Sequence, residues 1–152
     1  MKRIICILFI GFFAVMISGF TPSFRPDQNS GIKVIANEKG APGTMSMKEL
    51  QAVFKGEKQR WGDGTKISIA FMKTNTTVGG ETALKLLDMS GDQLNKFWLA
   101  LVFQGKAKAP NFFSTAGDLE NYVSQTPGAI GVVDGQFSSK AKTVAVDGKK
   151  SI

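Results

Sequence analysis

Histidine is absent from the 152 residues, and cysteine occurs once, at Cys6. Without imidazole there is no Ser-His-Asp or Cys-His relay, and the zinc, haem and iron–sulfur ligand sets built on His or clustered Cys cannot be assembled. A lone cysteine also excludes an intrachain disulfide. Acidic residues are outnumbered, 12 against 19 Lys and Arg, but the basic residues are spread along the chain rather than massed. The net charge of +7 therefore does not mark a nucleic-acid partner. Lys106, Lys108, Phe112 and Phe113 come nearest to a basic patch with aromatics, and they read as a polar loop followed by a buried aromatic pair. Glu81, Asp88 and Asp92 show no spacing suited to acid–base work, so the expectation is a protein without enzymatic activity or cofactor.

Long apolar runs are equally scarce. The main one, Ile4 to Ile17, follows Lys2 and Arg3 and is shorter than the ~20 residues of a spanning helix. With Ser18, Gly19, Thr21, Pro22 and Ser23 behind it, residues 1–23 read as a secretory signal, and Cys6 lies too deep in the run to be a lipidation site. Residues 24–30 read as a flexible lead. The expected location is periplasmic or secreted. The remaining chain, 43% hydrophobic overall and 20% charged, has the composition and length of one globular domain, over residues 31–148 with a tail at 149–152.

Periodicity then gives the order of elements. Ile32, Val34, Ile35 and Ala36 form a β-branched strand closed by Gly40, Pro42 and Gly43. Ser46 and Glu49 make a capping box for a helix carrying Met47, Leu50, Val53 and Phe54, which Gly56 stops. Trp61 to Gly64 turn the chain into a strand over Lys66 to Met72, where Ile67, Ile69 and Phe71 alternate with Ser68 and Ala70. Ala83, Leu84 and Leu87 mark a helical stripe. A second capping box, Ser90 with Gln93, opens a helix whose apolar face is Leu94, Phe97, Trp98, Leu101 and Val102. Thr115 caps a helix ending at Thr126-Pro127-Gly128, a strand follows over Ala129 to Val133, and Val144 to Val146 add a short last strand. Strands alternating with helices specify an α/β domain with a small mixed sheet.

The segment Ser46 to Phe54, Lys55-Gly56, Arg60-Trp61, Gly62-Asp63-Gly64 and Lys66-Ile67 resembles phosphate-type periplasmic solute-binding proteins, the substrate-binding components of ABC transporters, where a helix, an F-x-G, a tryptophan and a turn precede a strand. Thr126 to Val133 resembles a signature strand of the same family, and Phe97-Trp98, Val102 to Gly105 and Pro110 resemble its short, single-lobe members. The resemblance implies one lobe of a type II periplasmic-binding-protein-like fold, flanked by helices. It further implies a small oxyanion such as phosphate as ligand, and a membrane permease, a second lobe-like protein or a second copy as partner. Trp61, Phe54, Phe97 and Trp98 read as packing residues. Pro127, Gly128 and Gly131 read as turn and close-approach positions.

In open α/β sheets ligands sit beyond the carboxyl ends of strands, where helix amino-termini offer N–H groups to anions. Lys73, Thr74, Asn75, Thr76 and Thr77 occupy such a position, with Gly79 and Gly80 behind them, and are the candidate ligand-binding residues. The family's two-lobe phosphate binders carry an arginine and a Ser-Gly-Thr signature in the corresponding loop. Here Lys73 or Met72 stands near the arginine position, and Thr76 and Thr77 near the signature. The competing reading of these residues is a polar loop with a threonine cap. An envelope protein-interaction domain that keeps the fold without a small-molecule ligand is the alternative function.

Overall fold

A computed structural model describes residues 31–135 and 141–152. The leader expected over residues 1–23 and the lead at 24–30 lie outside the described residues. Among the described residues, no helix is long and apolar enough to cross a membrane.

Six strands form one mixed sheet: β1 (Lys33–Ala36), β2 (Thr44–Met45), β3 (Ser68–Met72), β4 (Asn111–Phe113), β5 (Ala129–Val133) and β6 (Lys142–Val146). Their order is β2-β6-β1-β5-β3-β4. β3 runs parallel to β5 and β4, whereas β1 is antiparallel to both of its neighbours, β5 and β6. The parallel part is joined by helical crossovers: α2 (Thr77–Leu87) and α3 (Gly91–Phe103) between β3 and β4, and α4 (Ala116–Gln125) between β4 and β5. α1 (Met47–Phe54) leads from β2 toward β3.

The two-residue alternation of the strands sorts their side chains into two cores. Val34, Ala36, Ile69, Phe71, Ile130, Val132, Val144 and Val146 face α1, α2 and α3, meeting Leu50, Val53, Phe54, Leu86, Leu94 and Trp98. Ile35, Ala70, Met72, Ala129 and Val133 face the other way, onto Leu119 and Val123 of α4. All five residues of β5 are buried, as expected of a central strand covered on both faces. The result is a mixed sheet flanked by helices, the α/β architecture that the sequence predicts.

Both capping boxes form. Ser46 Oγ accepts from Glu49 N–H at 3.2 Å and Ser90 Oγ from Gln93 N–H at 3.2 Å, with the reciprocal side-chain bonds in place. Gly56, at φ 73°, and Gly105, at φ 65°, take the left-handed position just past α1 and α3, which glycine fills without a Cβ penalty. The turn and strand motifs meet in space. Trp61 is buried, and its Nε1 donates to the Gly128 carbonyl at 2.9 Å, so it holds a polar role as well as a packing one. Gly128 sits at φ 76°, and a Cβ there would overlap the Lys66 carbonyl. At Gly131 a Cβ would come within 2.7 Å of Leu119 Cδ2, which is how closely α4 lies on the sheet.

Several expectations differ from what forms. Leu84 is 62% exposed, because α2 turns Ala83, Leu86 and Leu87 inward instead. The apolar face of α3 is buried only at Leu94 and Trp98, while Leu99, Val102 and Phe103 are exposed. Phe112 and Phe113 are not a buried pair: both belong to the edge strand β4, with Phe112 stacked on Phe71 and Phe113 half-buried against Tyr122. At the end of the chain, the Ile152 N–H donates to the Ile32 carbonyl at 2.9 Å and its side chain packs on the core.

Asn37, just beyond β1, is a buried polar hub that the sequence pattern did not single out. Its Nδ2 donates to the carbonyls of Val123 and Ser124 at 2.9 and 2.8 Å, in the last turn of α4 where carbonyls lack intrahelical partners. Its Oδ1 accepts from the Lys39 N–H at 2.9 Å. Asn37→Ala leaves these groups unpaired in a dry environment and should cost about 2–4 kcal/mol in urea unfolding. A second test concerns acid. The Ser46 N–H, followed by Lys58, holds the Glu49 carboxyl below its ordinary range. A depressed carboxylate contributes stability above its unfolded pKa that is lost as pH falls through the folded value. Glu49→Gln should therefore flatten the acid limb of the stability–pH profile.

Candidate functional site

β3 ends at Met72, and the next residue is still tied to the sheet, since the Lys73 N–H donates to the Phe113 carbonyl at 2.9 Å. The chain then folds back within one turn. Thr76 directs both its N–H, at 2.9 Å, and its hydroxyl, at 2.7 Å, to the Lys73 carbonyl. The same hydroxyl oxygen accepts from the Gly79 N–H at 3.1 Å and caps α2. Thr76 thus has its donor and cap both committed: it shapes the corner and has no hydroxyl proton left for a ligand.

Gly79 is the second determinant. It is buried in the first turn of α2, where any Cβ would overlap the Lys73 carbonyl. This glycine permits the tight approach of the β3–α2 turn. Gly80 differs, with the nearest atom, the Thr74 carbonyl oxygen, 3.8 Å from a built Cβ.

Thr74 is half-buried against α3. Its Oγ1 accepts from Asn95 Nδ2 at 3.1 Å, and a Cβ at Gly91 would stand 2.8 Å from its own Cβ. Its hydroxyl proton remains available to another acceptor. Lys73, Asn75 and Thr77 are exposed. The five candidate residues are therefore brought to one corner but divide by task. Lys73, Asn75 and Thr77 present an ammonium, an amide and a hydroxyl to solvent, Thr74 presents a hydroxyl fixed by Asn95, and Thr76 holds the turn. Behind them the first turn of α2 supplies the partial positive charge of a helix amino-terminus. Such an arrangement offers donors and no acid–base pair. Asn95 is the supporting residue that sequence reasoning did not assign, because its contact with Thr74 spans 21 positions, while Gly79, noted in the sequence beside Gly80, is the position of close approach.

No family model and no curated protein matches the sequence. Solved structures do match the fold. Over 80% of this chain it is similar to an ABC-type phosphate transport receptor from Vibrio cholerae, at TM-score 0.64 and 11% identity. It is also similar to PstS from Borrelia burgdorferi, at 0.58 and 15%, and to a putative phosphate ABC transporter substrate-binding protein with bound phosphate from Clostridium perfringens, at 0.53 and 16%. Each similarity again covers 80% of this chain. The chain spans only 46–49% of the length of those proteins. The fold is that of one lobe of a phosphate-type periplasmic substrate-binding protein.

The two glycines and the cap give opposite expectations. Gly79→Ala should be strongly destabilising, whereas Gly80→Ala should stabilise by about 0.5–1 kcal/mol through the lower backbone entropy of alanine in a helix. Thr76→Ala should cost about 1 kcal/mol, as loss of an N-cap does. Chemical denaturation of the three variants checks all of this, and equal tolerance at 79 and 80 would contradict the close approach.

Proposed function

We propose that this chain is an exported, non-enzymatic binding module that contacts phosphate or another small oxyanion through Lys73, Thr74, Asn75 and Thr77, with Thr76 and Gly79 shaping the corner. The supporting observation is the capped amino-terminus of α2 placed directly after a parallel strand, with an exposed ammonium, an amide and two hydroxyl donors around it. Oxyanions are recognised by hydrogen bonds from such donors, strengthened when one partner is charged. A lysine, unlike an arginine, contributes a point charge without a fixed bidentate fork, which suits a weakly discriminating anion site. An open face leaves the anion hydrated on one side, so affinity grows when a second surface closes over it: a second lobe-like protein, a second copy or a permease.

The exposed apolar residues Leu99, Val102 and Phe103 favour a second reading, an envelope protein-interaction domain, in which the same fold docks a partner through α3.

A ligand that binds only the native state must raise its stability, by about 2.7 kcal/mol at a hundredfold excess over the dissociation constant. Phosphate is expected to raise the melting temperature in low salt. Lys73→Ala should weaken that effect about tenfold in concentration while leaving the unliganded melting temperature in place, since a charge-assisted bond contributes about 1.5–3 kcal/mol. Absence of any shift with millimolar phosphate or sulfate would remove the oxyanion reading and leave the interaction domain.

A further inference from the structure

A second concave feature lies at the opposite end of β3, a strand's length of about 16 Å from the 73–77 corner. A cavity of about 260 Å³ opens between the segment after α1 (Gly56, Lys58, Gln59), the start of β3 with the two residues before it (Lys66–Ile69) and the chain leading into β4 (Ala107–Asn111), with Trp98 of α3 forming part of its wall. Gly56 makes room for that wall, a built Cβ there standing 3.0 Å from the indole.

The charges of this cavity are of one sign. Lys58 is held by Glu49 at 3.4 Å, but neither Lys66 nor Lys108 makes an ion pair among the described residues. Instead both stand on the lining of the one cavity. The neighbouring Lys108 side chain holds the Lys66 ammonium below the ordinary lysine range, and Arg60 adds a weaker repulsion. Two ammonium groups at the mouth of one cavity repel each other until an anion lies between them. The walls are of another character: Ile67, Ile69, Ala107, Ala109, Pro110 and the indole of Trp98 offer apolar surface, which a bare, fully hydrated oxyanion would not use. Trp98 is itself buried, and its Nε1 has no hydrogen-bond partner among the described residues.

We propose that this cavity binds a small organic acid, with its carboxylate between Lys66 and Lys108 and its apolar body against Trp98 and Pro110. The site is separate from the 73–77 corner and stands or falls independently of the oxyanion reading. Both lysines are exposed, so binding is salt-sensitive and its specificity lies in the apolar walls.

Benzoate at low ionic strength is the probe, and the indole Nε1–H signal of Trp98, assigned through Trp98→Phe, is the reporter in two-dimensional NMR. Benzoate should shift this signal saturably, and acetate, which has the carboxylate without the body, should bind at least about tenfold more weakly. Lys66→Gln and Lys108→Gln should each weaken benzoate about tenfold. Lys66→Arg, which keeps the charge, should retain binding, and Lys73→Ala should leave it unchanged. The proposal is overturned by the lack of a saturable shift at millimolar benzoate, by equal affinity in the Lys66→Gln/Lys108→Gln double variant, or by acetate binding as well as benzoate.

Discussion

Two backbone approaches too tight for any side chain fix the molecule at either end of β3. At its entrance the Lys66 carbonyl lies against Gly128, and at its exit the Lys73 carbonyl lies against Gly79. The first sets the register of the parallel β3–β5 pair, with Ser68 opposite Ala129, and is reinforced by the bond from Trp61 Nε1 to the Gly128 carbonyl. The second lets the chain turn sharply from β3 into the capped first turn of α2, where the 73–77 corner lies. Because β5 is buried on both faces, an error at either end has no solvent-exposed side in which to relax. The candidate site is thus a consequence of strand register before it is a matter of which side chains line it.

What the sequence carried openly was local. Capping boxes at Ser46 and Ser90, the alternation through Ile67 to Phe71 and the Pro127-Gly128 break each rest on contacts within a few residues, and each corresponds to an element found in place. The short strands were hidden for a physical reason. β2 has two residues, too few for an alternating pattern, and β4 has three at the sheet's edge with two of them exposed, so neither shows a buried-face period. Asn37 escaped notice because its partners lie 86 and 87 positions away. In the candidate corner the residue types were legible, but the division of labour was not. Only the folded turn reveals that the Thr76 hydroxyl is consumed by Lys73 and Gly79, and that Thr74 is oriented by Asn95.

The helix with the clearest amphipathic stripe, α3, also shows where such patterns mislead. Its first half packs on the core through Leu94 and Trp98, and its second half carries Leu99, Val102 and Phe103 into solvent. The sheet explains the difference: among the described residues β4 is its edge, and no further strand extends beneath the outer side of the helix. Leu99, Val102, Pro110 and Phe112 consequently line an open groove with Asn95 between the helix and the edge strand. An apolar period reports that a face avoids water and leaves open whether the fold itself supplies the cover.

That groove adjoins the candidate corner. Asn95 takes part in both features, lining the groove and orienting the Thr74 hydroxyl at 3.1 Å, so the apolar face and the donor-rich corner are contiguous through a single side chain. An anion held on one open face keeps much of its hydration and is screened within about 8–10 Å at physiological salt. A surface seated on α3 would exclude water from the neighbouring corner, lowering the local dielectric and strengthening the contacts from Lys73 and the threonine hydroxyls. Were the corner to hold an oxyanion and the groove a partner, the two would for that reason be energetically coupled: occupation of the groove would raise the affinity of the corner, and by reciprocity an anion in the corner would raise the affinity of the groove.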